Sequence, residues 1–403
     1  MMITITRLGH HGDGIAEGPV FVPRTLPGEV VEGDVVQGRI ATPRILTPSD
    51  QRIRPPCPHY RACGGCALQH AREEFVTGWK QDIVRHALSA QGVEAPFRTP
   101  HISPLHSRRR AGFAGRRLKN GALVGFHARA SDVVTAVPEC LILHPALIAA
   151  LPVLEDLTAR EGSRKGELAL ALTISDAGLD LAVTDGKTLD DAMRARLGQW
   201  AGQAGLARLA WDGDVIAQAQ PPFHTIGRAH VTPPPGAFLQ ATKPAEAALQ
   251  AAVAEAVGTA SHVADLFAGC GTFALTLAES SEILAIESDA AMLHALDAGW
   301  RQAQGLKRIT TQTRDLFRNP VLPEDLARFD AVVIDPPRAG ADAQARALAN
   351  SRVPRIAAVS CNPVSFARDA KLLIQGGYRL DWVQVIDQFR FSPHVELAAR
   401  FTK

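Results

Sequence analysis

From about residue 240 onward the sequence keeps one rhythm, short apolar strands separated by helices, and this constrains the fold more than any other feature. AEAALQAAVAEAV is helical in pattern, HVADLF reads as a buried strand and TFALTLAES as a helix. ILAIES (strand), AAMLHALDAGWRQAQ (helix), then RITTQT, FDAVVID and RIAAVSC (strands) follow. Such Val/Ile/Ala-rich strands have no polar face to give to water, so they belong in a parallel sheet covered by helices on both sides. YRLDWVQVIDQF and HVELAARFTK then give two strands close together, which suits an antiparallel hairpin at one edge. The expected class is α/β, a Rossmann-like sheet over residues 236–403.

The upstream half has a different texture. Residues 1–48 alternate β-formers with Gly, Pro and Asp at turns, as a small closed barrel of five strands would. IRPPCPHY looks like a linker. Phe75, Trp79, Ile83 and Leu88 then sit at roughly helical spacing, which predicts a helix from about Glu73 to Ala90. Between about 100 and 235, strand-like ELALALTISDAGLDLAVTD mixes with helix-like PALIAALPVLEDLTAR. A chain of 403 residues is expected to form two or three domains. Texture divides them at 1–48, 49–235 (an α+β central domain) and 236–403.

Hydrophobic residues make up 46% of the chain, enough for a sizeable core. No segment has the form of a signal peptide or the length of a membrane span, so a soluble cytoplasmic protein, monomeric and with no membrane partner, is expected. In a reducing compartment its six cysteines serve metals or catalysis and not disulfides. A net charge of only +2 means that any polyanion-binding surface must come from uneven distribution.

Ligands of an open α/β sheet bind at the carboxyl ends of its strands. The first strand ends in Asp265, followed by Phe267, Gly269, Gly271 and Thr272. The two glycines allow a sharp turn and close approach of a ligand, although any tight strand–helix turn has the same need. Later strands or loops end in Glu287, Asp315 and Asp335. Each acid alone could cap a helix, but four acids closing four successive elements point to one site. Glu287 can accept ribose hydroxyls, and Asp315 can face an adenine amino group. No Lys or Arg lies between Asp265 and Asp289. Phosphates are repelled there and a cationic sulfonium nucleoside is tolerated, favouring S-adenosylmethionine over NAD or ATP.

The fifth strand runs into Ser360-Cys361-Asn362-Pro363, placing a thiol at the same sheet edge. C5 of a pyrimidine is too weak a nucleophile to take a methyl from a sulfonium unaided. A thiolate added to C6 turns the ring into an enolate whose C5 can attack, after which a base must remove the C5 proton. Cys361 is the candidate nucleophile and Glu396, at the start of the last strand, the candidate base. Cys270, wedged between two glycines, is expected to be a small apolar filler.

Cys57, Cys63, Cys66 and the later Cys140 supply four thiols. Their spacing leaves open a tetrahedral zinc, an iron–sulfur cube or no metal. Residues 107–119 hold Arg108, Arg109, Arg110, Arg116, Arg117 and Lys119 without an acid, a natural phosphate-contact surface, with Phe113 either stacking on a base or in the core.

DLFAGCGTFAL, IES, DPPRAG, SCNP and HVE, in this order, resemble the RNA uracil-5-methyltransferases, which make 5-methyluridine in tRNA and 23S ribosomal RNA. The resemblance covers essentially the whole chain, and GDGIAEGPVFVPRTLPGEVV is similar to the family's TRAM barrel, an OB-type RNA-binding module. It implies a class I methyltransferase domain, with Cys361 as nucleophile and Glu396 as proton acceptor. It also implies cofactor contacts at Gln240, Phe267, Thr272, Glu287, Asp315 and Asp335. The family's ribosomal-RNA branch implies a [4Fe–4S] cluster on the four cysteines and 23S rRNA as substrate ahead of tRNA. Thr242 and Thr272 stand where relatives often carry Asn. The rival classes are an amino-group or cytosine-C5 methyltransferase and a non-catalytic RNA-binding ribosome-assembly factor.

Overall fold

The strand–helix rhythm after residue 240 becomes an eight-stranded mixed sheet in the computed structural model, which describes residues 1–403. Ile309–Thr313, Glu282–Glu287, His262–Leu266, Ala331–Ile334 and Arg355–Ser360 lie side by side and parallel. The chain steps outward from His262–Leu266 in one direction and then returns to its other side. The switch point therefore falls between the carboxyl ends of His262–Leu266 and Ala331–Ile334. The strands are buried on both faces by two apolar clusters, one centred on Leu249, Val253, Val263 and Leu296, the other on Ile334, Ile356, Phe366 and Phe401.

The expected antiparallel pair forms, but it does not end the sheet. Leu397–Thr402 inserts between Arg355–Ser360 and Arg379–Asp387, antiparallel to both. His101–Ile102, from far upstream, then adds outside Arg379–Asp387 as a parallel strand. Two residues of pairing leave no periodic signal, so sequence pattern could not show this edge.

Helix Glu73–Ala90 forms where spacing predicts and buries Leu88 as expected, but the rest of its buried stripe is Val76, Lys80 and Val84, one residue on from Phe75, Trp79 and Ile83. A lysine in that stripe reads as polar in sequence. Here it is fully buried, its Nζ 2.7 Å from Asp387 Oδ1. Val84, Leu88 and Val93 join the core of the C-terminal sheet. So do Ile226, Ala229 and Val231 from the His224–Ile226 and Ala229–Val231 hairpin. Packing thus crosses residue 235 in both directions.

The first 47 residues form a five-stranded antiparallel sheet around Ile5, Val22, Val31 and Ile40. Residues 110–218 contribute strands to a seven-stranded sheet on whose core Leu154, Leu157, Leu197 and Trp211 pack. No helix is long and apolar enough to cross a membrane.

Candidate active site

At the switch point the chain leaves His262–Leu266 through a loop with three left-handed residues, Phe267 (φ +63°), Gly269 (φ +54°) and Gly271 (φ +91°). Gly271 is required: a Cβ there would lie 2.8 Å from Leu296 Cδ1. Phe267 has no such freedom, and a non-glycine residue in this region costs about 1–3 kcal/mol, strain that accumulates at functional sites. Its ring packs against that of Phe317 with centroids 5.5 Å apart, and Phe317 is nearly half exposed.

The acids at the strand ends divide into two kinds. Asp265 is fully buried; its Oδ2 accepts from Ala274 N at 2.9 Å, while Oδ1 has no partner. Burial, with the charges of Asp335 and Glu287 added, pushes its carboxyl up to about 8. Burial also raises Asp335. Glu287 instead ties the loop together: Oε2 accepts from Gly269 N at 3.1 Å and Oε1 from Ser288 N and Asp289 N. Asp315 is exposed and accepts from the backbone of Phe317 and Arg318, so it holds Phe317 in place. Thr272 accepts through its carbonyl from Gln250 Nε2. Thr242, buried, caps helix Lys243–Val257 by accepting from Ala245 N and shares a hydrogen bond with Ser103 Oγ, which explains a hydroxyl at this position.

Sheet register brings the thiol and the last carboxylate together. Ser360 pairs with Leu397 in the antiparallel ladder, so Cys361, next after one, and Glu396, next before the other, leave the sheet side by side. Cys361 immediately precedes Asn362, which caps helix Pro363–Gln375 and also donates through Nδ2 to Arg338 O at 2.8 Å. The thiol therefore stands beside the positive end of a 13-residue helix. Burial first, then the charges of Glu396 and Asp335, push it up to about 11, against a lowering by Arg338. Glu396 is 4% exposed. Burial and the charge of Asp335 raise its carboxyl, and a hydrogen bond from Gln388 lowers it.

Gln388 carries no signal in the sequence. It is buried between Gln240, Ala241 and Glu396. Its loop is anchored from the far side of the chain. Ala67 N and Leu68 N both donate to the carbonyl of Phe391, a left-handed residue at φ +62°. Lys80 reaches Asp387 and Phe389 O, and Arg390 pairs with Glu73.

Comparison with known proteins agrees with this geometry. The family described as tRNA (Uracil-5-)-methyltransferase matches residues 235–403. An RNA methyltransferase of Brucella suis biovar 1, uncharacterized in function, is 43% identical over 409 residues, spanning 100% of this chain and 97% of the relative. The 23S rRNA (uracil(1939)-C(5))-methyltransferase of Shewanella piezotolerans is 31% identical across 100% of this chain and 95% of its own length. The chain belongs to the RNA uracil-5-methyltransferase family. The fold agrees over its full length. The Pyrococcus abyssi tRNA (uracil-54, C5)-methyltransferase, solved with S-adenosyl-L-homocysteine, superposes with a TM-score of 0.79 at 22% identity, covering 100% of this chain and 99% of that one.

In this RNA methyltransferase the arginine run of residues 108–119 does not form one surface. Arg109 departs from the expected phosphate contact: it is buried, ion-paired with Glu246 and donates from Nε to Gln240 O. Arg108, Arg110 and Arg117 donate to the carbonyls of Arg110, Gly236 and Gly162. Arg116, half exposed beside Glu167, and Lys119 face solvent. Phe113 is core, stacked on Phe126 at 5.1 Å.

The cysteine segments are pinned together by Gly64 N donating to His127 O and Glu139 N to His59 Nε2. Cys57, Cys63, Cys66 and Cys140 are free, half-buried thiols. Burial pushes Cys66 up to about 12, and the charges of the other three add to it. Burial likewise raises Cys63 and Cys140, with their neighbours' charges added. All four thus share one neighbourhood, although no group of three or more His, Cys, Asp or Glu side chains is drawn together closely enough to hold a metal ion.

Proposed function

We propose that the protein methylates C5 of a uracil in RNA, using S-adenosylmethionine, by way of a covalent bond from Cys361 to C6. The pairing of Ser360 with Leu397, which sets a thiol beside a buried carboxyl at the switch point, carries the proposal. Bound there, S-adenosylmethionine supplies an electrophilic methyl on a cationic sulfonium. The residues suit it: Asp265 keeps an unpartnered buried oxygen, and the loop has no cation to repel a sulfonium. Asp265, Phe267, Gly269, Gly271, Thr272, Glu287, Asp315, Asp335 and Gln240 would line that site, with Phe317 as an addition that sequence reasoning missed.

The chain's own chemistry needs two residues. Cys361, as thiolate, bonds C6, and the C5=C6 electrons move onto the C4 oxygen as an enolate whose C5 takes the methyl. Glu396 then removes the C5 proton; the electrons of that C–H bond restore C5=C6 as the C6–S bond breaks, and the thiolate leaves. The helix N-terminus and Arg338 favour the thiolate, and positive charge brought among Asp335 and Glu396 offsets what raises it.

RNA extracted from a strain lacking the gene and labelled with tritium at uridine C5 tests this. The protein should release tritium, and Cys361→Ala should release none. Glu396→Gln should accumulate an RNA–protein adduct that survives denaturing gels. Tritium release by Cys361→Ala would sink the covalent route, and release from cytidine-labelled RNA alone would reassign the base.

For the target, 23S rRNA is favoured over tRNA because the full-length relative named for rRNA is 31% identical. Methylation mapping on the deletion strain decides it. The N-terminal five-stranded sheet would serve as the TRAM module, and Arg116 and Lys119 as phosphate contacts. Cys57, Cys63, Cys66 and Cys140 would hold a [4Fe–4S] cluster. A cube binds each thiolate to a different iron, so it asks for four thiols around one volume and not four converging on a point. Iron and acid-labile sulfide in the anaerobically purified protein, lost on replacing Cys66 with serine, support it; stoichiometric zinc refutes it.

A further inference from the structure

We propose that Gln388 is a positioning residue for the methyl-transfer site, its side-chain amide donating to Glu396 and fixing the direction of the Gln240 amide. The inference rests on the role of Glu396 given above. An amide's oxygen and nitrogen look alike in shape, and only partners tell them apart. Here a backbone group decides. Ala241 N can only donate, so the Gln388 atom 2.7 Å from it is Oε1. Nε2, with its two hydrogens, is then left for the two remaining partners, Gln240 Oε1 at 2.6 Å and Glu396 Oε2 at 3.1 Å. Every hydrogen-bonding direction of that NH2 is used, and the residue is 2% exposed, so water cannot substitute for any of them.

Two consequences follow. The atom Gln240 turns toward Gln388 must be its oxygen, so its own NH2, which has no partner in the protein, is directed away from Gln388 as a donor for a bound ligand. Glu396, between the charge of Asp335 and a buried environment that both favour its neutral form, receives from Gln388 its one side-chain hydrogen bond. A neutral Glu396 cannot accept the C5 proton. The donor is therefore placed where it keeps the base able to act. The relay continues outward: Gln240 O accepts from Arg109, which pairs with buried Glu246, so the amide pair is braced by an ion pair behind it.

The test separates the two halves of the reaction in the full-length protein. On RNA carrying 5-fluorouridine the reaction stops once the Cys361 bond has formed and C5 has taken the methyl, because fluorine at C5 cannot leave as a proton does. At saturating S-adenosylmethionine, which removes any binding deficit passed on through Gln240, adduct formation on it should be at the wild-type level in Gln388→Met, which keeps the volume and removes the amide. With RNA tritiated at uridine C5, single-turnover release by Gln388→Met should fall about tenfold at neutral pH, the scale of a lost hydrogen bond to a charged group. The deficit should vanish as pH rises, since the variant's Glu396 then ionises. Gln388→Glu keeps an acceptor for Ala241 N but sets a second acid against Glu396, and should move the acid limb of the release profile further up. A deficit equal at every pH, or matched by lost adduct on the fluorinated RNA, would mean a merely structural role, and wild-type behaviour would mean no role. If Glu396→Gln traps no adduct on unmodified RNA, it is the role of Glu396 that fails, independently of Gln388.

Discussion

Replacing Lys80 with methionine removes one half of a buried ion pair and leaves the other half in place. Lys80 and Asp387 have side chains 1% and 6% exposed, with Nζ 2.7 Å from Oδ1. Taking away the ammonium strands a carboxylate that water cannot reach, which costs about 3–5 kcal/mol. Phe389 O loses its Lys80 donor as well, about 1 kcal/mol more. Methionine fills the space of the aliphatic stem, so little of the loss comes from a cavity. Asp387 Oδ1 also accepts from Phe389 N at 2.9 Å, and Asn keeps that acceptor while discarding the charge. The double variant Lys80→Met, Asp387→Asn should therefore recover more than half of what Lys80→Met loses. Urea unfolding followed by tryptophan fluorescence reads both, since Trp79 lies on the same helix and Trp382 on the strand that ends at Asp387. A Lys80→Met midpoint within about 0.5 kcal/mol of wild type, or a double variant less stable than the single, would falsify the ion-pair account.

Above about pH 6.5, where burial of His70 and His224, both pushed down to about 4, no longer adds stability with rising pH, the protein should lose stability as pH climbs toward about 8. Asp265 is pushed up to about 8, and Asp335 and Glu396 are raised as well, while unfolded carboxyls titrate near 4. The folded state thus keeps protons that the unfolded chain has released. Its advantage is complete below the unfolded value and fades as pH climbs through the folded one. Urea midpoints compared between about pH 6.5 and about pH 8 check this; Asp265→Asn should flatten the slope, and an unchanged or rising midpoint refutes it. Of the arginine run, Arg109→Ala should cost about 3–5 kcal/mol of stability because it strands buried Glu246. Arg116→Ala with Lys119→Ala should leave the unfolding midpoint alone and reduce the salt dependence of RNA binding by about one ion per charge removed, measured by filter binding across salt.

Most of the C-terminal sheet was legible because its strands are apolar on both faces and its turns carry glycine and aspartate at the strand ends. Cys361 and Glu396 could be named for the same reason: both abut strands whose pattern is unmistakable. What stayed hidden depends on contacts across the chain. Lys80 reads as a surface residue until Asp387, remote in sequence, is set against it. Gln388 has no local signature, because its meaning lies in Ala241, Gln240 and Glu396 meeting around it. The arginine run misled for a local reason. Alternation at the entry to strand Arg110–Arg117 turns Arg109 inward, and three arginines in a row conceal which one faces in.

The carbonyl of Phe391, held by the amides of Ala67 and Leu68, fixes an order of events during synthesis. The contacts from Lys80 to this loop span 309 residues. At 5–20 residues per second, helix Glu73–Ala90 waits about 15–60 s for the strand that completes them. Leu397–Thr402, which seats Glu396 beside Cys361, is the last of the eight strands to be made. A nascent chain thus carries the Cys361 thiol, at the end of the fifth parallel strand, before the carboxyl that comes to stand beside it exists.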